Sequence, residues 1–144
     1  MSERNLRLAV AFLALAGAAI AAYLTYSWYS GNPPVCPTSG CELVQKSHWS
    51  KLVGIPVAAL GLCTYLAVVT STLIRHQLLR LGGAMIAVTA LGFNLYLLYV
   101  QLVEIKSVCT WCVANEIVSA LLAPTALAWL VVGTRLDAEN KPAQ

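Results

Sequence analysis

CTWCVANEIVSALLAPTALAWLVV, residues 109–132, opens on a Cys-x-x-Cys pair and runs on as a mostly apolar stretch. An α-helix of about 20 such residues crosses the hydrocarbon core of a bilayer. Lys106 and Ser107 come just before it. With Ser107 as the cap, Cys109 falls in the first turn and Cys112 in the next. Residues three apart share a helix face, which puts Cys112 roughly 4.5 Å deeper than Cys109. Unpaired N–H groups at a helix start stabilise an anion and favour the reactive thiolate. A dithiol at the lip of a membrane can face water-soluble proteins on one side and a lipid-soluble oxidant on the other.

Three further stretches of the 144-residue chain are long and apolar enough to span: about 6–28, 53–74 and 81–103. With 59% hydrophobic and 10% charged residues, the composition excludes an ordinary soluble core. The fold class expected is all-α, an integral membrane four-helix bundle forming one domain over 1–144. In the first span, Ala-rich sequence around Gly17 allows close helix approach, and Tyr23, Tyr26, Trp28 and Tyr29 follow as an interfacial belt. That belt and the length of the run favour a retained helix over a cleaved signal peptide. Gly82, Gly83 and Gly92 offer the same close packing in the third span, and Asn94 reads as a buried polar group. Pro56, in Gly54-Ile-Pro56, marks a helix start.

The loop over about 30–52 is the sizeable one. Gly31-Asn32-Pro33-Pro34 ends the first helix, and Cys36-Pro-Thr-Ser-Gly-Cys41 makes a tight turn. Ser39-x-x-Glu42 reads as a capping box opening a short interfacial helix, about Cys41 to Ser50. Leu43, Val44 and Ser47 would turn one face of it to the bundle. Four spans put both termini on one side, together with Arg4, Arg7, Arg75, Arg80, Arg135 and Lys141; Lys46, Lys51 and Lys106 fall opposite. The positive-inside rule makes the terminal side cytoplasmic and both cysteine pairs extracytoplasmic. Nothing in the charge pattern suggests nucleic acid.

Cys63, mid-span, reads as a small buried apolar residue. For the pairs Cys36/Cys41 and Cys109/Cys112 three uses compete. Static disulfides suit the compartment, although rings this small remove little chain entropy. Zinc could take four thiolates, but the spacing differs from the usual paired Cys-x-x-Cys knuckles. A relay by thiol–disulfide exchange, from a partner protein to a quinone, fits the short loop, the helix-start thiols and their depth. Glu116 lies one turn below Cys112 with Ser119 a turn further, so Cys109, Cys112, Glu116 and Ser119 form one polar stripe. An ionisable group inside a span is expensive and points inward. It could route protons to a quinone or be a neutral group bonded to a neighbour such as Asn94.

Cys36-x-x-x-x-Cys41, then Ser47, then Gly54-Ile-Pro-Val-Ala-Ala-Leu-Gly61, then Cys109-x-x-Cys112 before a last helix, resembles the bacterial vitamin K epoxide reductase homologues. The order of the pairs is the reverse of that in the DsbB oxidases. The resemblance implies that Cys112 faces a quinone (menaquinone, ubiquinone or phylloquinone type), and that Cys109 exchanges with Cys41. It further implies that Cys36 meets a thioredoxin-fold partner and that Ser47 helps to hold the quinone or the loop. Many relatives carry a fused thioredoxin-like domain, so the expected partner here is a separate DsbA-like protein. The expected function is reoxidation of that carrier, in support of disulfide-bond formation, in the inner (plasma) membrane. Glu116 stands where the animal enzymes carry a Tyr, which counts against epoxide chemistry. The alternatives left open are an epoxide reductase in the animal sense and a non-enzymatic membrane module.

Overall fold

A computed structural model of the chain describes residues 2–74 and 76–140. Arg75 and Lys141, counted above among the terminal-side charges, lie outside the described residues. The elements in order are helix α1 (Glu3–Ser30), a short helix α2 (Gly40–Lys46), and a two-stranded hairpin, β1 (Lys51–Leu52) with β2 (Ile55–Pro56). Helices α3 (Val57–Leu73), α4 (Gln77–Val100) and α5 (Thr110–Glu139) complete the chain. Helix α1 packs on α3 and α5, and α4 packs on the same two, so the four long helices close a ring. This is an all-α membrane protein. Helices α1, α4 with its extension to Ile105, and α5 are long and apolar enough to cross a bilayer. The 17 residues of α3 span roughly 25 Å, at the short end of the range.

Sequence spacing explains the packing. On α1 the buried residues Leu6, Val10, Ala14, Gly17, Ala21 and Leu24 recur every three or four positions, one stripe of a helix. A side chain at Gly17 would collide with the ring of Tyr65 on α3, so glycine there admits the aromatic ring. Gly83 is similarly pressed on Ser71, whereas Gly82 and Gly92, expected to serve close packing, face open space. Large apolar side chains such as Phe12, Leu66, Ile117 and Leu121 point outward, as a lipid-facing surface requires. Cys63 is among the exposed residues and not in the protein interior, contrary to the expectation from its mid-span position.

Several boundaries differ from the sequence expectation. The second span begins at Val57 and not Val53, because Lys51–Pro56 forms the hairpin. Its turn residues Val53 and Gly54 both have positive φ, 53° and 84°. Helix α5 continues to Glu139 where a polar tail was expected from Arg135. Helix α2 ends at Lys46, short of Ser50, and the capping box does not form: Ser39 makes no side-chain cap bond, and Glu42 pairs with Lys46 one turn on. Leu43, expected against the bundle, is 56% exposed.

At the end of the bundle that holds Glu3, a polar cluster ties three helices together. Trp129 Nε1 donates to Glu3 Oε1 at 3.3 Å. The Arg80 guanidinium lies 5.6 Å from the centre of the Trp129 ring and 3.4 Å from Asp137 Oδ2. It occupies the space that a side chain at Gly133 would need. Both cysteine pairs sit at the opposite end.

Candidate functional site

The four paired cysteines come together where the loop after α1 meets the start of α5. Cys36 and Cys41 are joined as a disulfide with Cα atoms 6.3 Å apart. Cys41 is 1% exposed and Cys109 is fully buried. Their chain neighbours touch: a Cβ on Gly40 would collide with the carbonyl of Val108 and come within 3.1 Å of Ser107 Oγ. Only a glycine lets the loop helix seat this closely on the segment that leads into Cys109. Both cysteines of the proposed exchange are thus flanked by residues in direct contact.

Cys109 is itself the cap of α5, in place of Ser107. Its extended backbone (φ −91°, ψ 114°) lets Sγ accept the Cys112 N–H at 3.3 Å. A sulfur that receives a backbone donor at a helix start is favoured as thiolate. The Cys109 and Cys112 sulfurs are 2.7 Å apart, with both thiols free. Cys112, half-buried, lines a cavity of about 690 Å³ inside the bundle. The walls are mostly apolar, with Ala21, Leu24, Met85 and Phe93 among them, and Val44, Ser47 and Trp49 of the loop region form its cover. A site of this size and character fits a lipid-soluble ring with one polar edge.

The polar edge is built by residues that sequence reading singled out only in part. Glu116 is 8% exposed and lines the cavity below Cys112. Its partner is Gln101, not Asn94: Gln101 Nε2 donates to Glu116 Oε1 at 3.2 Å, while Gln101 Oε1 accepts the Cys109 N–H at 3.1 Å. A backbone N–H can only donate, so it fixes which end of the Gln101 amide faces Glu116. Gln101 opens a wide turn, Gln101–Ile105, that widens the end of α4 and aims this amide inward. Tyr65 donates to Asn115 Oδ1 at 2.9 Å, and both line the same cavity. Ser47 lines it too, with its hydroxyl donated to the Val44 carbonyl at 2.6 Å. Ser119 is buried one turn below Glu116, which completes the stripe expected on α5.

Gln101, Tyr65 and Asn115 were not singled out from sequence. A polar residue at the end of an apolar run reads as a boundary, and only the wide turn draws Gln101 inside. Among the described residues no three His, Cys, Asp or Glu side chains converge as a metal site would require. The sequence matches the vitamin K epoxide reductase family over residues 8–127. The chain belongs to that family. The match runs from the first turns of α1 into the second half of α5 and takes in both cysteine pairs. Vitamin K epoxide reductase family proteins are membrane oxidoreductases that link thiols to a quinone.

Proposed function

We propose that this protein reoxidises a thioredoxin-fold, DsbA-like dithiol carrier outside the cytoplasm and passes the electrons to a quinone held in the bundle cavity. The observation that carries the reading is the close approach of Gly40 to Val108, the chain neighbours of Cys41 and Cys109, while Cys112 lines the cavity. A carrier thiolate attacks Cys36, forming a mixed disulfide and releasing Cys41 as thiolate. Cys41 attacks Cys109 of an oxidised Cys109–Cys112 pair and frees Cys112. The carrier's second thiol then releases Cys36, and Cys36 attacks Cys41, which frees Cys109. The loop disulfide is restored, the carrier leaves oxidised, and Cys109 and Cys112 hold two electrons. Bound in the cavity, a quinone supplies an acceptor for two electrons and two protons as the Cys109–Cys112 bond re-forms.

Glu116 handles one of those protons in this reading. One of its carboxyl oxygens receives the Gln101 amide, which leaves the other for the cavity. Ser47, in the cover, donates its hydroxyl to the Val44 carbonyl and so helps to hold the loop over the cavity. Both cysteine pairs face outward and both termini lie in the cytoplasm, a placement supported by the charge asymmetry of the chain. The residues 1–144 act as one membrane domain in this reading.

Purified protein in lipid, with a quinone and a reduced thioredoxin-fold carrier, tests the reading through quinone absorbance. The wild type should reduce the quinone as the carrier is oxidised, and Cys112→Ala should abolish the transfer. Equal quinone reduction by Cys112→Ala would refute the assignment.

A further inference from the structure

Two side chains from different helices converge on the backbone of one loop residue, Val35. The Val35 N–H donates to the Tyr23 hydroxyl at 3.0 Å, and the Val35 carbonyl accepts Trp111 Nε1 at 2.9 Å. The two rings also pack on each other, with centroids 4.9 Å apart. Val35 immediately precedes Cys36, and Trp111 lies between the cysteines of the Cys-x-x-Cys pair. The Val35 side chain is 81% exposed, so packing does not hold it. From Asn32 to Pro37 these are the two hydrogen bonds of the backbone among the described residues. The other end of the same loop is seated by Gly40 on Val108.

We propose that Tyr23 and Trp111 clamp the Val35 backbone from both sides and so hold the Cys36–Cys41 loop in register over Cys109–Cys112, as positioning residues for exchange between the two pairs. This rests on the relay reading. The clamp touches none of the reacting sulfurs. It acts because its donor sits inside the acceptor pair's own spacing, so the loop travels with the start of α5. Held at Val35 and at Gly40, the ring of residues between Cys36 and Cys41 has little freedom to carry Cys41 away from Cys109. A loop freed at Val35 would swing about the Gly40 contact and lower the fraction of time in which Cys41 can attack.

Trp111→Phe keeps a ring against Tyr23 and removes the indole N–H; Tyr23→Phe keeps the ring and removes the acceptor hydroxyl. The test is a single turnover without quinone, starting with both pairs oxidised and one equivalent of reduced carrier. Samples are quenched with a mass-tagging alkylator, and tags are counted separately on Cys36/Cys41 and on Cys109/Cys112. Each variant should slow passage of tags to Cys109/Cys112 about fivefold, the fold-change that one net hydrogen bond corresponds to. Labelling of the loop pair by the carrier should keep its wild-type rate, and the unfolding midpoint should stay put. Passage at the wild-type rate in both variants would overturn the clamp. If the wild type itself passes no tags to Cys109/Cys112, the relay fails, and the clamp with it.

Discussion

At the scale of single residues, the site depends on how few polar atoms are placed inside an apolar shell. Gln101 serves two partners with one amide, and truncation would leave the Cys109 N–H and the Glu116 carboxyl without it. A buried donor or acceptor left unsatisfied costs about 1–3 kcal/mol. Gln101→Leu is therefore expected to lower the unfolding free energy by roughly 2 kcal/mol and to slow quinone reduction, readable by denaturation and by absorbance. Glu116→Gln keeps the size and the bond to a polar neighbour but removes the titrating proton. Its quinone turnover should fall at low pH, where the acid form donates, and lose most of its pH dependence. A pH profile identical to the wild type would exclude the proton role. Cys36, Cys41, Cys109, Cys112 and Glu116 stood out from spacing as candidates, because pairs of thiols and a carboxyl within a span are chemically conspicuous. Gln101, Tyr65, Asn115, Tyr23 and Trp111 did not, since each is an ordinary residue whose importance comes from partners 8 to 76 positions away, such as Val35 for Tyr23 and for Trp111.

Elements bring those residues to one place, and glycines set how closely the elements approach. Gly82 and Gly83 are adjacent on α4 but face different surroundings: nothing lies near a Cβ at Gly82, while one at Gly83 would strike Ser71. Gly82→Ala should be neutral or stabilise the helix by roughly 0.5–1 kcal/mol, and Gly83→Ala should destabilise it. Thermal unfolding of the two variants in the same lipid compares them directly. Sequence showed a glycine pair without saying which one packs, because the answer lies on a different helix. The hairpin was hidden for a different reason. Val53, almost fully exposed with φ 53°, is a β-branched residue in a conformation that such residues resist, so nothing local announces a turn before Gly54. Val53→Asn should relieve that strain and raise the unfolding midpoint, since Asn tolerates the left-handed region.

For the whole molecule, the bundle separates its chemistry by end. The end at Glu3 carries the Glu3–Trp129–Arg80–Asp137 cluster, and the other carries the four paired cysteines above an apolar cavity. The all-α membrane class was readable from composition and run length, because a bilayer leaves a chain few other options. Which loop residues lie over which helix was not, since that is set by close contacts such as Gly40 on Val108. The central claim is that sulfur bonds pass between the loop and the head of α5. Its most direct measurement is mass spectrometry of a Cys36→Ala, Cys112→Ala protein oxidised in lipid, where one cysteine of each pair remains to be joined. A Cys41–Cys109 cross-linked peptide is the predicted result. Two uncoupled thiols after full oxidation would contradict it.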